Sequence, residues 1–253
     1  MSTRNLTSWM TVLALVTALV PAVAKADGSP YSVRIEMDEH TVNALQAEGY
    51  FLTGFKAVKS SHKGGKPVAW FSEPGKNLTA HTNIHWEEFY NAYVVEEKDI
   101  TNGRITSKNS PPEPPGMALG EVWSVKATGF GKVGKGGQPG TITIDNISDQ
   151  PWVTGISQKV NGKINVLCAF PLHGHNADVI APIEKVLLLF NTQEINTGTV
   201  IEKAIGQSVM IDLTAKNSRS VRYDIDKGWD CGPSPGCKTL GEKTNLAPLL
   251  IQP

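Results

Sequence analysis

Two histidines one residue apart, with an aspartate close behind, form the sharpest chemical pattern in the chain: His173, His175 and Asp178 in the segment LHGHNAD. Residues two apart on a strand share a face. Imidazole nitrogens and a carboxylate are donors that suit zinc or another divalent metal. The spacing therefore predicts a candidate metal site and, built on it, a metal-dependent hydrolase. His81 and His85, four apart in HTNIHWEE, share strand parity with Glu87 and form a second set of the same kind. The competing reading of both sets is an ordinary polar surface. The adjacent acids Glu87–Glu88 and Glu96–Glu97 point to opposite faces of a strand. Neither pair supplies the two carboxyls facing each other across a cleft that glycoside hydrolysis requires. Nucleophile-elbow, zinc-protease and phosphate-loop motifs are absent, and GFGKVGKGG lacks the terminal Lys-Ser/Thr of a phosphate loop.

Aromatic side chains offer a different chemistry. Trp86, Tyr90 and Tyr93 lie close together, and Trp70, Trp123, Trp152 and Trp229 are spread along the chain. If exposed together, Trp86, Tyr90 and Tyr93 would present ring faces to sugars or to a lipid headgroup region. If inward, they are core. Cys231 and Cys237 bracket the turn-forming loop GPSPG and are expected to form a disulfide. Cys168, in the apolar run VLCAF, reads as a small buried hydrophobe.

The elements that must position these residues are mostly short strands. The N-terminus is read as an export signal over residues 1–26: a positive Arg4, the apolar stretch Trp9–Val20, and the small-x-small exit Ala24-Lys25-Ala26. This sets the expected location as secreted or periplasmic. No later stretch is long and apolar enough to span a bilayer as a helix. Net charge is zero and the isoelectric point is near 7.0. No basic tract marks a nucleic-acid footprint, so nucleic acid is not an expected partner. The one predicted helix spans residues 38–48, with Asp38 as N-cap and Gly49 just beyond its end. Alternating apolar runs separated by Gly- and Pro-rich turns predict strands elsewhere, and NSPPEPPG at Asn109–Gly116 predicts a stiff proline loop.

Five landmarks recur in the same order along the chain. EKDITNGRITSK (Glu97–Lys108) echoes TQEINTGTVIEK (Thr192–Lys203), aligning Ile100 with Ile195 and Gly103 with Gly198. YFLTGFKA echoes PWVTGISQ, GGKPVAW echoes NGKINVLCA, Phe71-x3-Gly75-x-Asn77 echoes Phe170-x3-Gly174-x-Asn176, and HWEEFYNAY echoes PIEKVLLLF. The expected fold is therefore all-β with one short helix, made of tandem-duplicated, sandwich-like repeats. Residues 27–130 form the first repeat, 131–140 a Gly-rich connector, 141–230 the second repeat and 231–253 a disulfide-bracketed tail. Two lobes and one pseudo-twofold sandwich both fit the sequence.

With no catalytic motif, the expected function is that of a secreted, non-enzymatic binding protein. It would recognise carbohydrate or membrane headgroups through Trp86, Tyr90 and Tyr93, with a toxin or cytolysin component as one form of it. No cofactor is expected on that reading. The alternatives are the hydrolase built on His173, His175 and Asp178, holding zinc or another divalent metal, and a structural envelope-associated protein.

Overall fold

The computed structural model describes residues 30–97, 103–105, 116–233 and 235–253. The export signal and nearly all of the proline loop lie outside the described residues. In chain order the strands are β1 (Pro30–Glu36), β2 (Phe51–Ser60), β3 (Lys66–Pro67), β4 (Phe71–Pro74), β5 (His81–Val95), β6 (Glu121–Val125), β7 (Gly131–Lys135), β8 (Ile142–Asn146) and β9 (Trp152–Val160). They continue with β10 (Lys163–Val166), β11 (Cys168–Leu172), β12 (Ala177–Asn191), β13 (Ser208–Asp212), β14 (Ser218–Asp224), β15 (Gly228–Asp230), β16 (Cys237–Leu240) and β17 (Ile251–Gln252). Helix α1 spans Glu39–Ala47, and a single turn, α2, spans Ala247–Leu250.

Local sequence accounts for α1. The Asp38 carboxylate accepts the Thr41 N–H at 2.7 Å, satisfying one of the orphan donors of the first turn. Gly49, at φ +68°, turns the chain out of the helix toward β2.

The strands form two sheets that face each other across one apolar core. The first runs β15-β14-β1-β5-β9-β11, with β3 beyond it and β10 beside β9. The second contains the path β7-β6-β8-β12-β2-β4, with β13, β16 and β17 attached. Taken from β15 and from β7, the pairings follow the same order: antiparallel, parallel, then antiparallel three times. The repeated Thr-Gly steps are offset by one residue: Leu188, opposite Gly54, belongs to the main core between the sheets, whereas Tyr93, opposite Gly155, packs in a separate cluster. Both 15-residue strands, β5 and β12, carry a register shift near their middle.

Each long strand pairs with a strand from the other half of the chain, so the halves are interleaved rather than side by side. The main core draws Ile35, Ile84, Trp86 and Val94 from one sheet and Leu52, Ile144, Leu188 and Ile211 from the other. The central strands are buried on both faces. The outward side chains Phe55, Leu187 and Leu189 are covered by Ile195, Leu246 and Leu250. Such two-sided burial explains why the second half of β12 reads as a continuous apolar run.

Three segments differ from the sequence reading. The expected connector supplies β7, a fully exposed edge strand whose Lys132 and Lys135 discourage edge-to-edge pairing. The segment carrying the GGKPVAW landmark does not form one strand as an apolar run between turns predicts: β3 joins β11 in one sheet, and β4 joins β2 in the other. The tail is not a mere appendage, because β16 extends the second sheet along β13. The expected disulfide between Cys231 and Cys237 is present, with Cα atoms 5.6 Å apart. Although only six residues separate them in sequence, the bond links the end of β15 in one sheet to the start of β16 in the other.

Candidate functional site

At one end of the sandwich β12 runs out beside the β14–β15 hairpin. Phe190 stands 4.3 Å from Tyr223 and stacks on Trp229 at 5.2 Å with 12° between the ring planes. Tyr223 and Trp229 themselves lie 4.9 Å apart. The Trp229 indole N–H donates to the Gln207 carbonyl at 3.2 Å, which fixes the ring behind the other two. Phe190 and Tyr223 border an open cavity of about 410 Å³, with Trp229 buried behind them. Tyr50, Phe190 and Tyr223 line it together with Gln193, Gln207, Asp226 and Glu242.

The rim is held by local bonds. Asn191 accepts from the Thr53 hydroxyl at 3.0 Å and donates to the Gln193 carbonyl, shaping the turn that leaves β12. Asp224 accepts from the Asp226 and Lys227 N–H groups at 2.9 and 3.1 Å and from the Lys227 ammonium at 2.8 Å. These bonds hold the Asp224 carboxyl below its ordinary range, while Asp224 raises the Lys227 ammonium. Lys227 is thus already matched by an acid, and the lining also holds Glu242 and Asp226, the latter 3.5 Å from the His40 ring. Burial, then Tyr50 and Asp224, push the Tyr223 hydroxyl up to about 12, so it stays a neutral donor and acceptor at physiological pH.

The residues singled out from sequence fall elsewhere. His173 and His175 sit in the turn between β11 and β12, not on a strand, so the shared-face argument fails there. His175 has φ +55° and its ring nitrogen faces Asp149 at 3.1 Å, in solvent. Asp178 points inward instead. It accepts the Ser60 hydroxyl at 2.6 Å and lies 3.4 Å from the His62 ring, and its second oxygen is buried without a hydrogen-bond partner. The structure does not bring His173, His175 and Asp178 together, and among the described residues no three His, Cys, Asp or Glu side chains group around a common point. His81, His85 and Glu87 do share the exposed face of β5, as their parity predicts, without such a grouping.

Trp86, Tyr90 and Tyr93 are 2%, 1% and 2% exposed, so none offers a ring face to a ligand. Trp86 and Tyr90 surround a buried ion pair that the sequence reading did not anticipate. Lys56 on β2 and Glu184 on β12 meet at 2.6 Å, with side chains 0% and 9% exposed. The Trp86 indole N–H and the Tyr90 hydroxyl donate to Glu184 at 3.0 and 3.2 Å. The Lys56 ammonium lies 4.9 to 5.8 Å from the ring centres of Trp86, Trp70 and Tyr31. One signal was available: Lys56 stands at inward parity in an otherwise apolar strand. Tyr93 belongs to a separate cluster and donates to the Cys168 carbonyl at 2.5 Å. Cys168 is buried as expected, and burial pushes its thiol far up, which keeps it unreactive.

Among the described residues no helix is long and apolar enough to cross a membrane. The chain matches no protein-family model, no curated protein and no solved structure.

Proposed function

We propose that this is a non-enzymatic binding protein whose ligand is a neutral carbohydrate held in the Phe190–Tyr223 cavity. The observation that carries the reading is the combination of the half-buried Tyr50 and Tyr223 rings with amide and carboxylate groups in one lining. Sugar rings present C–H faces that pack on aromatic rings and hydroxyls that pair with Gln, Asp and Glu oxygens and amides. An anionic lipid headgroup suits the same cavity poorly. Its one lysine, Lys227, is matched by Asp224, while Asp226 and Glu242 would repel phosphate. Export to the periplasm or medium, as the N-terminal segment predicts, would place such a site where glycans are found. A hydrolase built on His173, His175 and Asp178 has less support, because those side chains are apart.

We also read the two halves as copies of one ancestral unit. The order and sense of the pairings in the two sheets support this, as do the five recurring sequence landmarks.

A screen of the purified protein against neutral and charged glycans, with phosphatidylglycerol and phosphatidylcholine vesicles alongside, tests the functional reading. Binding to neutral oligosaccharides that Tyr223→Ala abolishes is expected. Binding to vesicles alone, or to neither, overturns it.

A further inference from the structure

The pair Lys56–Glu184 is placed unlike an ordinary salt bridge. Both residues project into the core between the sheets, one from β2 and one from the register shift of β12 beside it. Removing two ions from water costs several kcal/mol for each, and such a pair seldom stabilises a fold more than packed apolar residues would. Each Glu184 oxygen nevertheless has its own donor: Trp86 on Oε2 and Tyr90 on Oε1. The Lys56 nitrogen reaches the same carboxyl group at 2.6 Å.

We propose that Lys56 and Glu184 become joined by an intramolecular isopeptide bond that ties β2 to β12. In the reaction a proton passes from the Lys56 ammonium to the Glu184 carboxylate across their 2.6 Å contact, giving neutral amine and carboxylic acid. The neutral Lys56 Nζ then attacks Glu184 Cδ. The Tyr90 hydroxyl on Oε1 stabilises the oxygen that gains charge, as a donor fixed in advance does in acyl transfer, and the Trp86 indole N–H holds Oε2, the oxygen that leaves. Burial and Glu184 raise the Tyr90 hydroxyl well above its ordinary range, so it remains a donor throughout. The C–N bond forms and one C–O bond breaks. Of the ammonium protons, one stays on the amide nitrogen and two leave with the oxygen as water, so no oxidant or co-reactant is needed. The product is a neutral amide in an aromatic enclosure, which removes the cost of holding two ions there.

Mass spectrometry of the purified, disulfide-reduced full chain tests this. The expected intact mass is one water below that of the sequence after any N-terminal processing. Peptide mapping should yield one branched peptide joining Lys56 to Glu184, and Lys56→Arg and Glu184→Ala should each restore the unmodified mass. Linear peptides carrying free Lys56 and free Glu184 in the wild-type chain overturn the proposal, whether or not either variant folds. A water loss mapped to any other residue overturns it as well.

Discussion

Arg104 and Thr199 face each other across a single antiparallel bridge. On one side the Ile105 N–H donates to the Gly198 carbonyl at 3.0 Å, and on the other the Val200 N–H donates to the Gly103 carbonyl at 2.9 Å. The two bonds join the two segments whose sequences echo each other, and both glycines have positive φ, +72° and +89°. The recurring turn is therefore a point where the halves meet. A side chain at Gly198 would place Cβ 2.4 Å from the Ile105 carbonyl oxygen, whereas at Gly103 it would meet nothing within 4 Å. Gly103→Ala should cost about 1 kcal/mol from backbone strain alone, and Gly198→Ala about 3 kcal/mol or more. Urea unfolding of the two variants checks the difference; equal losses would contradict the contact.

The Thr-Gly step repeated in β2 and β9 makes a second comparison. A Cβ at Gly155 would lie 2.2 Å from the Cys168 carbonyl oxygen, and one at Gly54 would lie 2.1 Å from the Phe71 ring. Backbone of a paired strand yields less readily than a side chain. Gly155→Ala should therefore destabilise more than Gly54→Ala, and combining Gly54→Ala with Phe71→Leu should recover part of the loss. Thermal unfolding reads both effects.

Asp178 gives a pH dependence of definite sign. Burial raises its carboxyl above the ordinary 3.8, against the lowering effects of Ser60 and His62. Between the unfolded and the raised folded value the native state binds more protons. From this group, stability falls as pH rises through that window and is regained as pH falls. Asp178→Asn keeps an acceptor for Ser60 and removes the buried charge, so it should flatten that part of the stability-versus-pH curve without destabilising the protein at neutral pH. Asp178→Ala, which strands the Ser60 hydroxyl, should destabilise throughout. Denaturation series at stepped pH distinguish the two.

The Cys231–Cys237 bond closes a small ring, and chain entropy alone assigns it about 2 kcal/mol. Because it also joins the edges of opposite sheets, Cys231→Ser with Cys237→Ser should increase hydrogen exchange in β15 and β16 before any other strands. Uniform loss of protection across both sheets would contradict this local role.

The strands and α1 were legible because their signals are local: apolar alternation, Asp38 as a cap, and Gly at turns. The disulfide was legible from two cysteines around a turn. The exchange of partners between halves was not, since a strand's apolar pattern says which face is buried and not which strand lies beside it. The same limit explains the sites. His173 and His175 were assigned strand geometry, yet they fall in a turn between strands. Trp86 and Tyr90 were weighed as surface rings because the acid they enclose, Glu184, lies far away in sequence. The Phe190–Tyr223–Trp229 cluster beside the cavity is drawn from three elements, and no short motif links them.

The Trp229 indole N–H resonance reports directly on the proposed sugar site, because that ring stacks beneath Phe190 and beside Tyr223. Two-dimensional NMR of the labelled protein, titrated with neutral oligosaccharides, should show saturable shifts at the Trp229 indole and at the Gln193 and Gln207 side-chain amides. Tyr223→Ala should lose those shifts while retaining the folded spectrum. A wild-type protein whose Trp229, Gln193 and Gln207 signals stay fixed across the series, or whose shifts cluster elsewhere, would contradict the account.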